Sequence, residues 1–402
     1  MTPSPVNADS FDMVASIPAN GLSACVNQAL QALQGHFPSA VLPTAQWVLG
    51  ARARELGISP RGQQSANGSC RLLVCRDGWL IVNLARDSDW ELLNAWLAVD
   101  ASSQEPRNLQ VPITDFSAQL PPEESAPMAG WLGLAGAVKA RSGQRLVRRG
   151  RDMGLPVGFV ASACSRQDQA KPSLQLNRLL QADTEQTEPR SLVGAKVVDL
   201  SALWAGPLCA HLLTACGAEV TTISSSQRPD GAIHGSPKLY QQLHAGHEQQ
   251  VLDFTRPDHL RDLSARLRQA DIVIEASRPR ALQQLGLDRA QLAVAKPQIW
   301  LSLTAYGRQL PMGQWIGFGD DVAASQGLLH WADNGAPEFV GDAIADPLTG
   351  TYAALAVSQS LSLGLSGLLD LSMASVAAQC HYKVQMSETA LICPLKESVS
   401  AD

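Results

Sequence analysis

Charge is scarce in this sequence. Only 17% of its 402 residues are Asp, Glu, Lys or Arg, and the formal net charge is −6. No basic block appears, so nucleic acid is excluded as an expected partner. Long apolar runs are missing too. None reaches about 18 residues, so no membrane-spanning helix is expected. The stretch from Met1 to Ala19 is polar, with Asp9 and Asp12, and lacks the positive start and apolar core of a secretion signal. Paired cysteines are also absent. The eight cysteines lie singly, and neither Cys70 with Cys75 nor Cys209 with Cys216 has zinc-ligand spacing with a matching second pair. Reduced, mostly buried thiols in a cytoplasmic protein are expected, with no metal.

What is present is apolar bulk. Apolar residues make up 45% of the chain, enough for a full core. The length suggests about two or three domains. Leu22 to Leu33 and Gln46 to Leu56 carry helical spacing. The period then changes. Cys70 to Cys75, Arg76-Asp77-Gly78 and Trp79 to Leu84 read as strand, turn and strand. Asp87 to Leu97 and Leu132 to Arg149 predict helices, and Gly154 to Val160 a short strand entry. Residues 1–165 are thus expected to form a smaller α+β domain. A polar stretch, 166–192, reads as a linker, with a short helix around Leu176 to Leu180.

From Val193 the pattern becomes β-α alternation. Strands are expected at Lys196 to Leu200, Glu219 to Ile223, Gln249 to Phe254, Asp271 to Glu275, Gln298 to Leu303 and Leu368 to Ser372. Helices fall at Pro207 to Cys216, Pro257 to Gln269 and Pro347 to Leu361. Short β-branched strands separated by helices define an α/β, doubly wound, mainly parallel sheet over 193–380. Residues 381–402 show no clear period and read as a tail that frays.

In such a sheet, ligands sit beyond the C-terminal ends of the strands. The first strand runs into Ser201-Ala202-Leu203-Trp204-Ala205-Gly206-Pro207, where Gly206 permits close backbone approach and Pro207 starts a helix. This is either an anion-binding turn or only a tight βα turn. It is not the dinucleotide fingerprint, and Ile223-Ser224-Ser225 lacks the acidic residue that would hold a ribose. The stretch around which the rest is organised is Gly341 to Gly350. There Asp346-Pro347 stands at the mouth of a helix. Asp suits an N-cap and Pro the first turn, so a capping role and a functional one both stay open for Asp346.

Together these stretches resemble family III CoA-transferases of the CaiB/BaiF type. Asp199-Leu200-Ser201, Ala205-Gly206-Pro207 and Gly217-Ala218-Glu219-Val220 are similar to that family's opening "DLS…AGP…GAEV". Ala270 to Glu275 with Arg278-Pro279 and Leu285-Gly286 resembles "ADVVIENFRPG…LG". Ser302 to Gly307 resembles "SISGFG", and Leu369 to Ser372 "VDVSL". The family's catalytic carboxylate lies in the pattern Asp, three residues, Gly, which Asp346 to Gly350 fits and Asp342 does not. The resemblance therefore implies Asp346 as nucleophile. It places coenzyme A, a substrate thioester, along Leu203, Trp204, Ala205, Gly206, Leu252, Ser277 and Arg278, with Lys238 as a further candidate for its phosphates. Backbone N–H groups near Gly341 or Gly350 would hold the oxyanion.

The implied reaction moves CoA from an acyl-CoA donor to a carboxylic acid acceptor through an aspartyl-CoA thioester, in a homodimer of intertwined chains, without metal or ATP. The pieces resembling the family's small domain, Asp77-Gly78-Trp79 and Gly154 to Val157, precede the large part here, which implies a rearranged order. His244 to Gln249 stands where the family has a basic segment, and Ala276-Ser277 where it has Asn-Phe. Two other readings stay open. One is an acyl-CoA racemase or isomerase, using Asp346 with Asp320 or Asp321 but lacking the branch's His, His330 being merely nearby in sequence. The other is a catalytically degenerate CoA-binding subunit.

Overall fold

The computed structural model of the protein describes residues 19–98, 126–161 and 185–392. Twelve strands are present among them: β1 (Cys70–Cys75), β2 (Gly78–Asn83), β3 (Val157–Ala161), β4 (Glu185–Gln186), β5 (Lys196–Asp199), β6 (Glu219–Ser225), β7 (Glu248–Leu252), β8 (Ile272–Glu275), β9 (Ile299–Thr304), β10 (Leu329–Trp331), β11 (Pro337–Phe339) and β12 (Leu365–Ser372). Seven form one sheet, in the order β4-β12-β9-β8-β5-β6-β7. Its six long strands are all parallel, and the two-residue β4 pairs antiparallel at the β12 edge.

The burial pattern shows why this sheet is doubly wound. β8 is buried at every position, as is most of β9. Continuous burial, rather than alternation, means that both faces are covered. Ile272, Ile274, Ile299 and Leu301 enter the core lined by Leu208, Leu212, Leu348 and Val357. Val273 and Trp300, pointing the other way, pack with Leu263, Leu267 and Leu282. Helices Ala205–Ala215 and Ala345–Ser362 thus cover one face, and helix Pro257–Gln269 the other. The chain reverses its winding at β5, which lies between β6 and β8, and that reversal opens a crevice at the strands' C-terminal ends.

A second, antiparallel sheet has the order β1-β2-β3. Its core gathers Leu80, Val82, Trp96, Trp131, Val138 and Leu155. Cys70, Leu72 and Ile81 turn instead toward Ala324, Leu329 and Phe339. This face joins the small sheet to helix Gly319–Ser325. The first two helices, Ala19–His36 and Ala45–Leu56, bury Leu22, Val26, Leu30, Leu33 and Val48 in the core of the large sheet.

Four local expectations need correction. The helix expected over Leu132 to Arg149 is two, Ala126–Val138 and Gly143–Asp152. Ser142 caps the second, its Oγ accepting the Arg145 N–H at 3.4 Å. The helix expected over Asp87 to Leu97 is also divided, at Leu92. Residues 381–392, expected to fray, belong to helix Met373–Ile392. Its Val376, Ala377, Cys380 and Val384 are buried, so tertiary packing supplies the order that periodicity did not announce. Asp346, expected as an N-cap, lies inside the first turn of helix Ala345–Ser362, whose N-cap is Ile344 without a side-chain hydrogen bond. The helix starts early because Ala343, at φ +45°, turns the chain so that Asp346 N–H already donates to Ala343 O at 2.9 Å. The candidate helix around Leu176 to Leu180 lies outside the described residues.

Candidate active site

Three chain segments meet at the mouth of helix Ala345–Ser362. The first is Gly341 to Ile344, which leads into that helix. The second is helix Gly319–Ser325, carrying Asp320 and Asp321. The third is helix Ala45–Leu56, carrying Arg52. Arg52 forks onto Asp342, with Nε donating to Oδ2 at 2.7 Å and Nη2 to Oδ1 at 2.5 Å. The same guanidinium lies 5.2 Å from the centroid of the Trp204 ring. Ala343 N–H donates to Asp320 Oδ1 at 2.8 Å, which locks the second segment to the first. Asp321 Oδ1 accepts from Asn83 Nδ2 at 2.8 Å and from Phe318 N–H at 2.9 Å, while its buried Oδ2 has no partner. Asn83 ends β2, so the small sheet reaches the site.

Asp346 stands among these groups, half-buried, with its neighbours Ala345 and Pro347 fully covered. Gly319 makes room for it. A methyl group at 319 would meet Asp346 Oδ2 at 2.4 Å and Ala343 O at 2.3 Å. Burial pushes the Asp346 carboxyl up to about 7, with Asp320, Asp321 and Asp342 adding to the rise and Arg52 opposing it. Burial likewise pushes Asp321 up to about 7, against the hydrogen bonds from Asn83 and Phe318. Asp320 is pushed up to about 6 by burial and by Asp342. Four carboxylates crowd this site, three buried and Asp346 half-buried, and the raised values of Asp320, Asp321 and Asp346 express the cost of charging them together.

The residues implied as the CoA contacts fall together on the crevice. Leu203, Trp204, Ala205 and Gly206 follow β5, Leu252 ends β7, and Ser277 and Arg278 follow β8. Leu203 is exposed and sits at φ +69°, and its N–H donates to both oxygens of Asp230 at 3.1 Å. Leu203 and Ala343 are the two non-glycine residues in the left-handed region among the described residues. Strain of this kind gathers at functional sites. Gly206 is required because a methyl group there would overlap Ser201 Oγ, at 2.0 Å. Gly350 lets the helix of Asp346 lie on this turn, since a methyl group at 350 would meet Ala205 O at 2.5 Å. The Ala205 turn and the Asp346 helix are therefore in direct contact. Gly350 lies one turn inside the helix, where its N–H belongs to the ladder, so it is no oxyanion donor. Lys238 is exposed, and its backbone N–H donates to Glu55 at 2.9 Å.

Arg278 is half-buried and held below its ordinary value by burial and by the charges of Arg280, Arg86 and Arg228. Arginines from three separated segments thus converge beside the crevice. Arg52 and Asn83 escaped the sequence reading, because Asp342 and Asp321, the partners that bring them to the site, lie far along the chain. His330 is in β10 and half-buried.

A doubly wound sheet of this strand order places a ligand crevice at its C-terminal edge, and half-buried Asp346 stands beside it. Residues 192–390 match the model of CoA-transferase family III, and this part of the chain belongs to that family. The relatives include an acyl-CoA transferase of Fusarium pseudograminearum, 28% identical over 42% of this chain and 41% of that protein. A succinate–glutarate CoA-transferase of Agrobacterium fabrum is 27% identical over 42% of this chain and 46% of that protein. The human succinyl-CoA:glutarate CoA-transferase is 26% identical, over 50% and 48%. The chain thus spans about half the length of the curated relatives it matches. Among solved structures, a CaiB/BaiF family protein from Brucella suis aligns with 51% of this chain and 58% of that one, at 24% identity and a TM-score of 0.44. Among the described residues, no helix is long and apolar enough to cross a membrane.

Proposed function

We propose that the protein transfers CoA from an acyl-CoA donor to a carboxylic acid acceptor, with Asp346 as the nucleophile. The observation that carries this reading is the position of Asp346. It is a half-buried carboxylate at the mouth of helix Ala345–Ser362, one turn before the glycine that seats this helix on the Ala205 turn. A carboxylate is a poor nucleophile in water and a serviceable one when desolvated against a thioester. Ionised Asp346 attacks the acyl carbon, and CoA thiolate leaves with the C–S electron pair. The thiolate attacks the aspartyl carbonyl of the mixed anhydride, which frees the donor acid and leaves an aspartyl-CoA thioester. The acceptor carboxylate attacks that thioester, and the thiolate returns to the acceptor's acyl carbon, restoring Asp346. One thioester replaces another, so the exchange is close to neutral in energy.

The CoA moiety would lie along Leu203 to Gly206, Leu252 and Ser277, with its phosphates toward Arg278 and the arginines around it. The small sheet β1-β2-β3 would be the family's small domain, placed before the large one. The site as described lies within one chain, and the active species would be a cytoplasmic homodimer. Incubation with a panel of acyl-CoAs, followed by intact mass, tests the reading. It requires a CoA adduct on the protein, formed with loss of water, in the presence of one of the donors. No adduct and no exchange of label between free acid and thioester, with any donor, would remove it.

A further inference from the structure

We propose that Arg52, which lies outside the family-matched region, is a positioning residue that sets the charge on Asp346. This rests on the transferase reading above. The geometry is a clamp. Helix Ala45–Leu56 brings the guanidinium to Asp342 in a two-pronged ion pair, at 2.7 and 2.5 Å, and Trp204 closes one of its faces. Asp342 is fully buried and Arg52 half-buried, with side-chain exposures of 0% and 20%. The fork is therefore fixed in place, and its charge is held where the chemistry needs it.

Every element packed around Asp346 contributes charge. Helix Gly319–Ser325 supplies Asp320 and Asp321, and the loop before the Asp346 helix supplies Asp342. Asn83 and Ser65 act on this group through Asp321 and Asp320, Cys70 faces both of these acids, and Tyr306 faces Asp321. Arg52 is the cation that faces Asp342, Asp346 and Asp320. It favours ionised Asp346, while the three acids disfavour it. Asp342 therefore has two opposed effects: it anchors Arg52, and its own charge works against Asp346.

These effects separate in variants. Arg52→Gln moves the acidic limb of the pH–rate profile upward by about one unit, within the range of a close opposite charge. At pH 7 the ionised fraction of Asp346 then falls from about half to about a tenth, a roughly fivefold loss of rate that is recovered above pH 9. Asp342→Asn keeps an acceptor for the guanidinium and removes a negative charge, so the limb moves down. Arg52→Lys keeps the charge without the fork, and its limb falls between parent and Arg52→Gln. A residue that only supports the fold would lower the rate at every pH and leave the limb in place. The titration is read in the full chain by ¹³C NMR on carboxyl-labelled aspartate, with the Asp346 signal assigned as the one lost in Asp346→Asn. That readout needs no turnover, so failure of the transferase reading shows separately, as a parent without transfer. Opposite shifts in Arg52→Gln and Asp342→Asn support the proposal. An Asp346 titration unmoved in the folded variants overturns it, and should Arg52→Gln not fold, Asp342→Asn and Arg52→Lys decide.

Discussion

Gly319→Ala is the most informative single methyl group. The added carbon would lie 2.4 Å from Asp346 Oδ2, 2.3 Å from Ala343 O and 2.7 Å from Ala343 C. Real contacts between such atoms are near 3.4 Å or more, so something must shift by about 1 Å. Ala343 O cannot retreat freely, because it accepts the Asp346 N–H at 2.9 Å and Ala343 N–H is held by Asp320 at 2.8 Å. The mobile partner is the Asp346 carboxylate, which swings aside. Overpacking of this kind costs about 1–3 kcal/mol of stability. Displacing a nucleophile by about 1 Å costs about 10²-fold in rate. The assay is transfer of CoA between a labelled acid and an acyl-CoA, run beside urea denaturation of the same preparation. The expected result is a folded protein, destabilised by about 1–3 kcal/mol, with transfer reduced about a hundredfold. A folded Gly319→Ala variant with the parent's rate would refute the placement of Asp346 as the reacting group.

Five further outcomes are expected. Asn83→Leu removes the Nδ2–H that donates to the buried Asp321 Oδ1 at 2.8 Å. It should cost about 1–3 kcal/mol in denaturant unfolding, the penalty of a buried acceptor left short of a partner. Arg308→Met breaks a network in which Arg308 holds Glu275, donates to Ser302 Oγ at 2.9 Å and pairs with Asp288 at 2.6 Å. A loss of about 3–5 kcal/mol is expected, since Glu275 would keep its burial without its counter-charge, and a loss under about 1 kcal/mol would speak against a buried network. The site acids also give a pH dependence of stability. Asp346 and Asp321 sit at about 7 when folded, above the ordinary 3.8, so folding favours their protonated forms. Their contribution is full below about pH 4 and is lost as the pH rises through about 7. Asp346→Asn should therefore be more stable than the parent by about 1–3 kcal/mol at pH 8 and little different at pH 4, by thermal unfolding. Limited proteolysis should cut first within residues 166–192, and sedimentation at micromolar concentration should give a dimer.

Much of the large sheet was legible, because its strands obey one simple condition. Fully buried parallel strands read as short β-branched runs, as at Ile272-Val273-Ile274. Helix Pro257–Gln269 was placed at both ends, since Pro257 opens it and the run Leu260, Leu263, Leu267 gives its apolar stripe. In the candidate site, local motifs mark only Asp346 and the turn Leu203 to Gly206. Arg52 and Asn83 were not legible, because the partners that give them meaning lie 290 and 238 residues away. The break between Val138 and Gly143 escaped because it depends on Asp77, whose Oδ1 accepts the Gly143 N–H at 2.6 Å and whose Oδ2 accepts from Ser142 Oγ at 2.8 Å. The capping role for Asp346 failed for a backbone reason: the left-handed turn at Ala343 starts the helix before the aspartate is reached.

The nucleophile itself is tested most directly by Asp346→Asn. The amide has nearly the carboxylate's shape and cannot form an anhydride. Asp346 makes no capping hydrogen bond in helix Ala345–Ser362, so the substitution removes no cap. Turnover and intact mass are measured on the folded variant with an acyl-CoA that labels the parent. The account predicts a folded protein with no transfer and no CoA adduct. A folded Asp346→Asn variant that still transfers CoA would contradict it.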